Sequence, residues 1–113
     1  MFLRFFKDIK RRQGTRRSWK WRWVRARYLD IYSECAVCGS TKALEVHHVV
    51  PIHVNKTLEL KFSNLITLCE SKKNGVNCHL FYGHLGDYRS FNKHVRADAV
   101  KWSGKLRKRP YKK

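Results

Sequence analysis

Nowhere in the 113 residues is there an apolar run long enough to cross a bilayer. The opening Met1-Phe-Leu-Arg-Phe-Phe-Lys is too short and too charged for a secretory signal. The chain is therefore expected in a reducing cytoplasm, where its four cysteines favour metal over disulfides. No internal repeat is visible. Acidic residues are scarce and unevenly placed: residues 1–28 carry eleven Lys/Arg against Asp8 alone, and residues 101–113 carry seven with no acid. Residues 29–100 hold eight Lys/Arg and seven acids, so nearly all of the net charge of +18 sits in two flanks around an almost neutral middle. Those flanks lack the apolar face of a membrane-surface helix. Cations packed so densely repel one another without a polyanion, and nucleic acid is the expected partner. The length suits one small domain whose limited core calls for an internal staple.

The pattern along the chain predicts a basic arm at 1–17, a folded domain at 18–103 and a basic tail at 104–113. A helix should start near Ser18, a suitable N-cap. Trp21, Val24, Tyr28 and Ile31 form one apolar stripe on it, with Arg22, Arg25 and Arg27 off the stripe. Core packing is the expected role of Trp21 and Trp23, ahead of base stacking. Cys35-Ala-Val-Cys38-Gly39 reads as a turn. Leu44 to Val50, ending at Pro51, reads as a strand, as does Asn64 to Cys69. A polar loop around Asn74-Gly75 follows. A short helix is expected from Cys78 to about Leu85, and another from about Val95 to Ser103, stopped by Gly104. The tail from Lys105 is expected to be loosely ordered.

Cys35 and Cys38 form a Cys-x-x-Cys knuckle, and Cys69 and Cys78 supply two more thiols. Four thiolates close a zinc tetrahedron with no open position, which makes a structural site whose binding energy is folding energy. Two disulfides or idle thiols are the competing possibilities. A redox role for Cys35 and Cys38 lacks the surrounding βαβ pattern it would need.

His47 and His48 lie side by side on the first strand, Asn64 opens the second, and His79 directly follows Cys78. Together with Asn64-Leu-Ile-Thr-Leu-Cys69 and Cys78-His-Leu-Phe-Tyr-Gly-His84, these residues resemble the HNH endonuclease family, and most closely its small phage and prophage members, over roughly residues 18–102. The resemblance implies an α+β fold, the small ββα-metal (HNH, His-Me finger) core. A structural zinc, an N-terminal helix and a C-terminal helix would complete it. By the same resemblance His47 and His79 become ligands of one catalytic metal, His48 the general base, and Asn64 the residue that orients that base by a side-chain hydrogen bond. The products would carry 5′-phosphate and 3′-hydroxyl ends, and the protein would work with phage packaging machinery such as a terminase.

The chemistry calls for the same residue types. Phosphodiester hydrolysis needs a deprotonated water, which a histidine can produce near neutral pH, and a cation to offset transition-state charge. Alternation along a strand lets His47 face a helix and its metal while His48 faces substrate. His84 lies five residues after His79, about 140° around an α-helix, so it is a third ligand or a phosphate contact only if that helix ends or distorts near Gly83. His53 reads as structural or DNA-facing, and His94 as an ordinary surface residue. Imidazole at position 47, where many family members have Asp, makes a softer site. Mn²⁺, Co²⁺, Ni²⁺ or Zn²⁺ should serve there, with Mg²⁺ disfavoured.

The expected activity is hydrolysis of double-stranded DNA, with Arg16, Arg17, Arg22, Arg25, Arg27, Lys105, Arg107, Lys108 and Arg109 on the backbone phosphates. The alternative is a zinc-stapled nucleic-acid-binding module without catalysis.

Overall fold

Apolar and β-branched residues in Leu44–His48 and Leu65–Cys69 build the two strands, β1 and β2, of a computed structural model that describes residues 16–71 and 76–107. The arm before Arg16, the loop centre at 72–75 and the tail beyond Arg107, with Lys108 and Arg109, lie outside the described residues. The strands pair antiparallel, Leu44 opposite Cys69 and His48 opposite Leu65. β1 stops two residues before the predicted end because Asn64 intervenes. Its side-chain oxygen accepts from Val50 N–H at 2.9 Å, and its amide nitrogen donates to Val50 C=O at 3.0 Å. Asn64 itself closes a 3₁₀ turn, Phe62–Asn64, rather than opening β2.

Helix α1, Trp21–Ile31, begins three residues after the expected cap. Ser18 caps the turn that leads into it, its hydroxyl accepting from Lys20 N–H and its carbonyl from Trp21 N–H. Trp21 and Tyr28 are buried and Val24 partly so, as the stripe predicts, but Ile31 is 56% exposed and Leu29 packs in its place. Trp23 is 60% exposed and not in the core; the Arg22 guanidinium lies 4.8 Å from its ring centre. The Tyr28 hydroxyl ties the helix to β2 by donating to Leu65 C=O at 2.8 Å.

The C-terminal helix α2, Val95–Leu106, runs through Gly104 instead of stopping there. Nothing lies within 4 Å of where a Gly104 Cβ would stand, so this glycine is an ordinary exposed helix position. Val95, Ala99 and Ser103, four residues apart, face inward.

The sheet divides two cores. On one face Val46 and Leu65 pack with Trp21 and Tyr28 of α1. On the other, Ile66 and Leu68 pack with the four cysteines, Tyr82, Val95 and Ala99. The fold is thus α+β: a two-stranded antiparallel sheet, helices, and a buried four-cysteine cluster compatible with zinc. Among the described residues no helix is long and apolar enough to cross a membrane.

Candidate metal centres

The knuckle is a tight turn closed by Gly39 N–H donating to Cys35 C=O at 2.9 Å, with Gly39 at φ 78°. A side chain there would be strained, and its Cβ would also meet Arg107 Nε at 3.2 Å. Cys35, Cys38, Cys69 and Cys78 are all buried and free, and their sulfurs lie within 4.8 Å of one another. The Cys38 and Cys69 sulfurs are 3.5 Å apart, far from a disulfide and near the edge of about 3.8 Å that zinc–thiolate bonds give a tetrahedron. Cys35 is drawn down to about 5, first by a hydrogen bond from Cys78, and Cys78 is pushed up by giving that bond. Four thiols this close cannot all ionise alone, and a dication is what such a donor set fits.

A second cluster lies beside the first. After Cys78 the chain winds as a π-helix, His79–Gly83, not the α-helix expected there. Its i→i+5 bonding makes a wider turn than the α-helix, which brings His84, at the end of the segment, round toward the face of His79 and narrows the separation of about 140°. The segment then ends through Leu85 at φ 56° and Gly86 at φ 85°. Ring centres of His47, His79 and His84 stand 5.1, 4.7 and 4.8 Å apart, nearly perpendicular.

Their protons can be placed by elimination. His79 Nδ1 is 2.9 Å from the Glu70 carboxylate, and His84 Nδ1 is 2.7 Å from Ser90 C=O. Both partners can only accept, since hydrogen bonds from His79 and then Tyr88 hold the Glu70 carboxyl below its ordinary range. Both Nδ1 atoms therefore donate, which leaves the two Nε2 atoms, 3.2 Å apart, as the nitrogens turned toward each other. Zinc–imidazole bonds give a tetrahedral edge of about 3.3 Å. His47 Nε2 is buried without any hydrogen-bond partner. Burial, then the neighbouring imidazoles, lowers His47 to about 3 and keeps it a neutral donor. Three converging imidazoles, one with an orphaned nitrogen, fit a divalent cation.

The trio opens on a cleft of about 350 Å³, lined also by His48, Arg17, His53, Tyr88 and Arg89. His48 points to the other face of β1. Its ring sits 4.4 Å from that of Trp21, and its Nε2 is 2.9 Å from Glu59 C=O. A carbonyl only accepts, so Nε2 carries the proton and Nδ1 keeps its lone pair. Burial holds His48 below the ordinary histidine value. The expected Asn64–His48 hydrogen bond is not formed: the Asn64 side chain is occupied by Val50 and Leu58 C=O, and the Glu59 carbonyl orients the imidazole instead.

The basic residues divide. Arg16, Arg22, Arg27 and Lys105 are exposed, and Arg17 reaches the cleft. Arg25 is half-buried, 3.6 Å from the Glu45 carboxylate. Arg107 is turned inward, where it donates to Ala36 C=O and Glu34, both at 3.3 Å, and supports the knuckle rather than facing outward. His53 is exposed on the cleft and His94 on the surface. Glu59, Glu70, Tyr88 and Arg89 were not anticipated. Only Glu70 leaves a trace in the sequence, as the residue directly after a cage cysteine.

Residues 35–80 match the family model described as HNH endonuclease, a span that takes in all four cysteines, His47, His48, Asn64 and His79 and ends before His84. No curated protein and no solved structure matches the chain.

Proposed function

Since residues 35–80 match the HNH endonuclease family model, we propose that the chain is a metal-dependent DNA endonuclease of phage type. In it Cys35, Cys38, Cys69 and Cys78 hold a structural zinc, and His47, His79 and His84 hold the catalytic metal. The observation that carries this reading is the convergence of the three imidazoles, two with Nε2 atoms 3.2 Å apart and the third with an orphaned buried nitrogen.

A divalent cation bound there supplies compensation for charge building on the phosphoryl oxygens and on the departing 3′ oxygen. The other roles fall to the chain itself. His48 takes a proton from the attacking water at Nδ1, because Nε2–H is committed to Glu59 C=O. Its depressed pKa keeps it unprotonated at neutral pH and so available as a base. Arg17 and Arg89, on the cleft, place the phosphate against His48. Asn64 acts one step removed, by holding the Val50–Leu58 loop whose next residue, Glu59, orients His48. An all-imidazole ligand set favours Mn²⁺, Co²⁺, Ni²⁺ or Zn²⁺ over Mg²⁺.

Supercoiled plasmid incubated with the protein and each of these metals tests the proposal, beside His48→Ala. Nicking by wild type and a loss of at least a hundredfold in His48→Ala is the expected result. DNA binding should persist in the variant and weaken steeply with salt. Absence of nicking with every metal, or an unimpaired His48→Ala, leaves the non-catalytic zinc-stapled binding module as the correct reading.

A further inference from the structure

We infer that Glu70, held by Tyr88, is a positioning residue for the catalytic metal: it fixes His79 in the tautomer and orientation that present Nε2 to the ion. The inference rests on the three-histidine reading of the site and adds an outer shell to it. One carboxylate oxygen, Oε2, accepts both His79 Nδ1–H at 2.9 Å and the Tyr88 hydroxyl at 2.8 Å. A carboxylate on the far nitrogen of an imidazole locks the proton there, stops the ring from flipping and raises the basicity of the facing nitrogen. The Tyr88 ring stands 5.7 Å from that of His79 and 5.1 Å from that of His84. The turn that carries Tyr88 also carries Ser90, whose carbonyl fixes the His84 tautomer. One short segment thus steadies two of the three ligands.

The chain path shows why Glu70 is suited to this. Glu70 directly follows Cys69, and His79 directly follows Cys78. The cysteine cage brings the two sulfurs together, and the next residue on each strand of chain then meets its counterpart. Glu70 backbone N–H is itself tied to Ala43 C=O at 2.9 Å, so the carboxylate leaves from a fixed point.

The test uses the full chain with its cage zinc in place and has two readouts. The first is the tautomer of His79 by ¹⁵N NMR, before any metal is added to the histidines. Wild type should show an Nδ1–H imidazole; Glu70→Ala should show a tautomer mixture, and Glu70→Gln, whose side-chain oxygen still accepts, should keep Nδ1–H. The second is Co²⁺ affinity at the histidines, read from the visible absorbance of imidazole-bound cobalt. Glu70→Ala should bind about 10- to 100-fold more weakly, Glu70→Gln and Tyr88→Phe less severely, all with one zinc per chain retained. An unchanged tautomer with Co²⁺ affinity within twofold of wild type in Glu70→Ala would overturn the inference. Loss of cage zinc from both Glu70 variants would overturn it too, by placing the residue's role in the cage. Failure of wild type itself to bind Co²⁺ at the histidines would instead sink the three-histidine reading, while the tautomer still reports on Glu70.

Discussion

Gly83 sits where the metal helix presses on β1, and replacing it with alanine tests whether close packing sets the position of His47. A Cβ at Gly83 would lie 3.1 Å from His47 Cε1, 3.2 Å from His47 Nδ1 and 3.1 Å from Leu68 Cδ1. Ordinary carbon contacts fall at about 3.5–4.0 Å, so the methyl overlaps neighbours on two sides. Leu68 is fully buried and His47 3% exposed, and neither can swing into solvent. The Gly83 carbonyl accepts from Asn92 N–H at 2.9 Å, which anchors the backbone as well. Overpacking of this kind costs about 1–3 kcal/mol. Alanine recovers up to about 1 kcal/mol of helical preference over glycine, so the net loss of stability is modest. The sharper consequence is at the site: His47 must give by a few tenths of an ångström, and metal sites tolerate about 0.2 Å. Gly83→Ala should therefore lose at least tenfold in Co²⁺ affinity at the histidines while keeping its cage zinc, measured by cobalt absorbance and zinc content. Wild-type cobalt affinity in a folded Gly83→Ala would refute the argument, since it would mean the ring relaxes freely and packing does not position it.

Gly104→Ala should stabilise the protein by about 0.8–1.0 kcal/mol, read from the urea midpoint; destabilisation would put the end of α2 at Gly104 after all. Acid should dismantle the histidine site. Burial depresses His47 to about 3 and also lowers His48 and His84, so the unfolded chain binds more protons than the folded one below the ordinary value of 6.5. Stability is thus fully present above about pH 6.5 and is lost as pH falls toward 3, by about 1.4 kcal/mol per pH unit for His47, with His48 and His84 adding in the same direction; a flat denaturation midpoint across that window would contradict the assigned burial. Arg107→Ala should lower the unfolding temperature and barely alter the salt dependence of DNA binding. Arg22→Ala should do the reverse, reducing the logarithmic salt slope by about one if Arg22 meets a phosphate.

What was legible in the sequence was chemistry carried by residue type and spacing. Cys35-x-x-Cys38 with Cys69 and Cys78 pointed to the cysteine cluster by spacing, because ligands must come from a short menu of side chains, while the family resemblance pointed to His47, His48 and His79 and left His84 open. The two strands were legible as well, from apolar segments bounded by turn residues. Contacts between side chains and distant backbone were not. The resemblance implied that the Asn64 amide orients His48; the same amide matches a backbone N–H and C=O better, and Val50 offers both. Arg107 looked like one more cation in a basic tail, since nothing local signals that Ala36 C=O and Glu34 lie within its reach. Ile31 shows the limit of helical periodicity, which identifies a face but not where a sheet beneath it ends, and Trp23, off that face, shows that residue type alone does not place a side chain in the core. Gly104 shows that a glycine near a helix end is a cap only when its φ is positive.

The π-helix was the least legible element and the one on which the proposed metal centre depends. In an α-helix His79 and His84 diverge, and no residue type announces a wider pitch. Constraints on both ends produce it here. Cys78 is held in the cage at the start, and the left-handed pair Leu85–Gly86 closes the end. Between them the Asn92 side chain donates to Tyr82 C=O at 2.9 Å, and Asn92 N–H donates to Gly83 C=O. Those bonds serve carbonyls at the end of the segment that would otherwise lack partners. A leucine at φ 56° is strained, by about 1–2 kcal/mol, and a wide helix of one turn has little cooperativity of its own. Its geometry must therefore be held by the cage at one end and by Asn92 at the other. The buried four-cysteine cluster, holding Cys78 in place, accordingly supplies the fixed start from which His79 and His84 can be wound onto one face and aimed at His47.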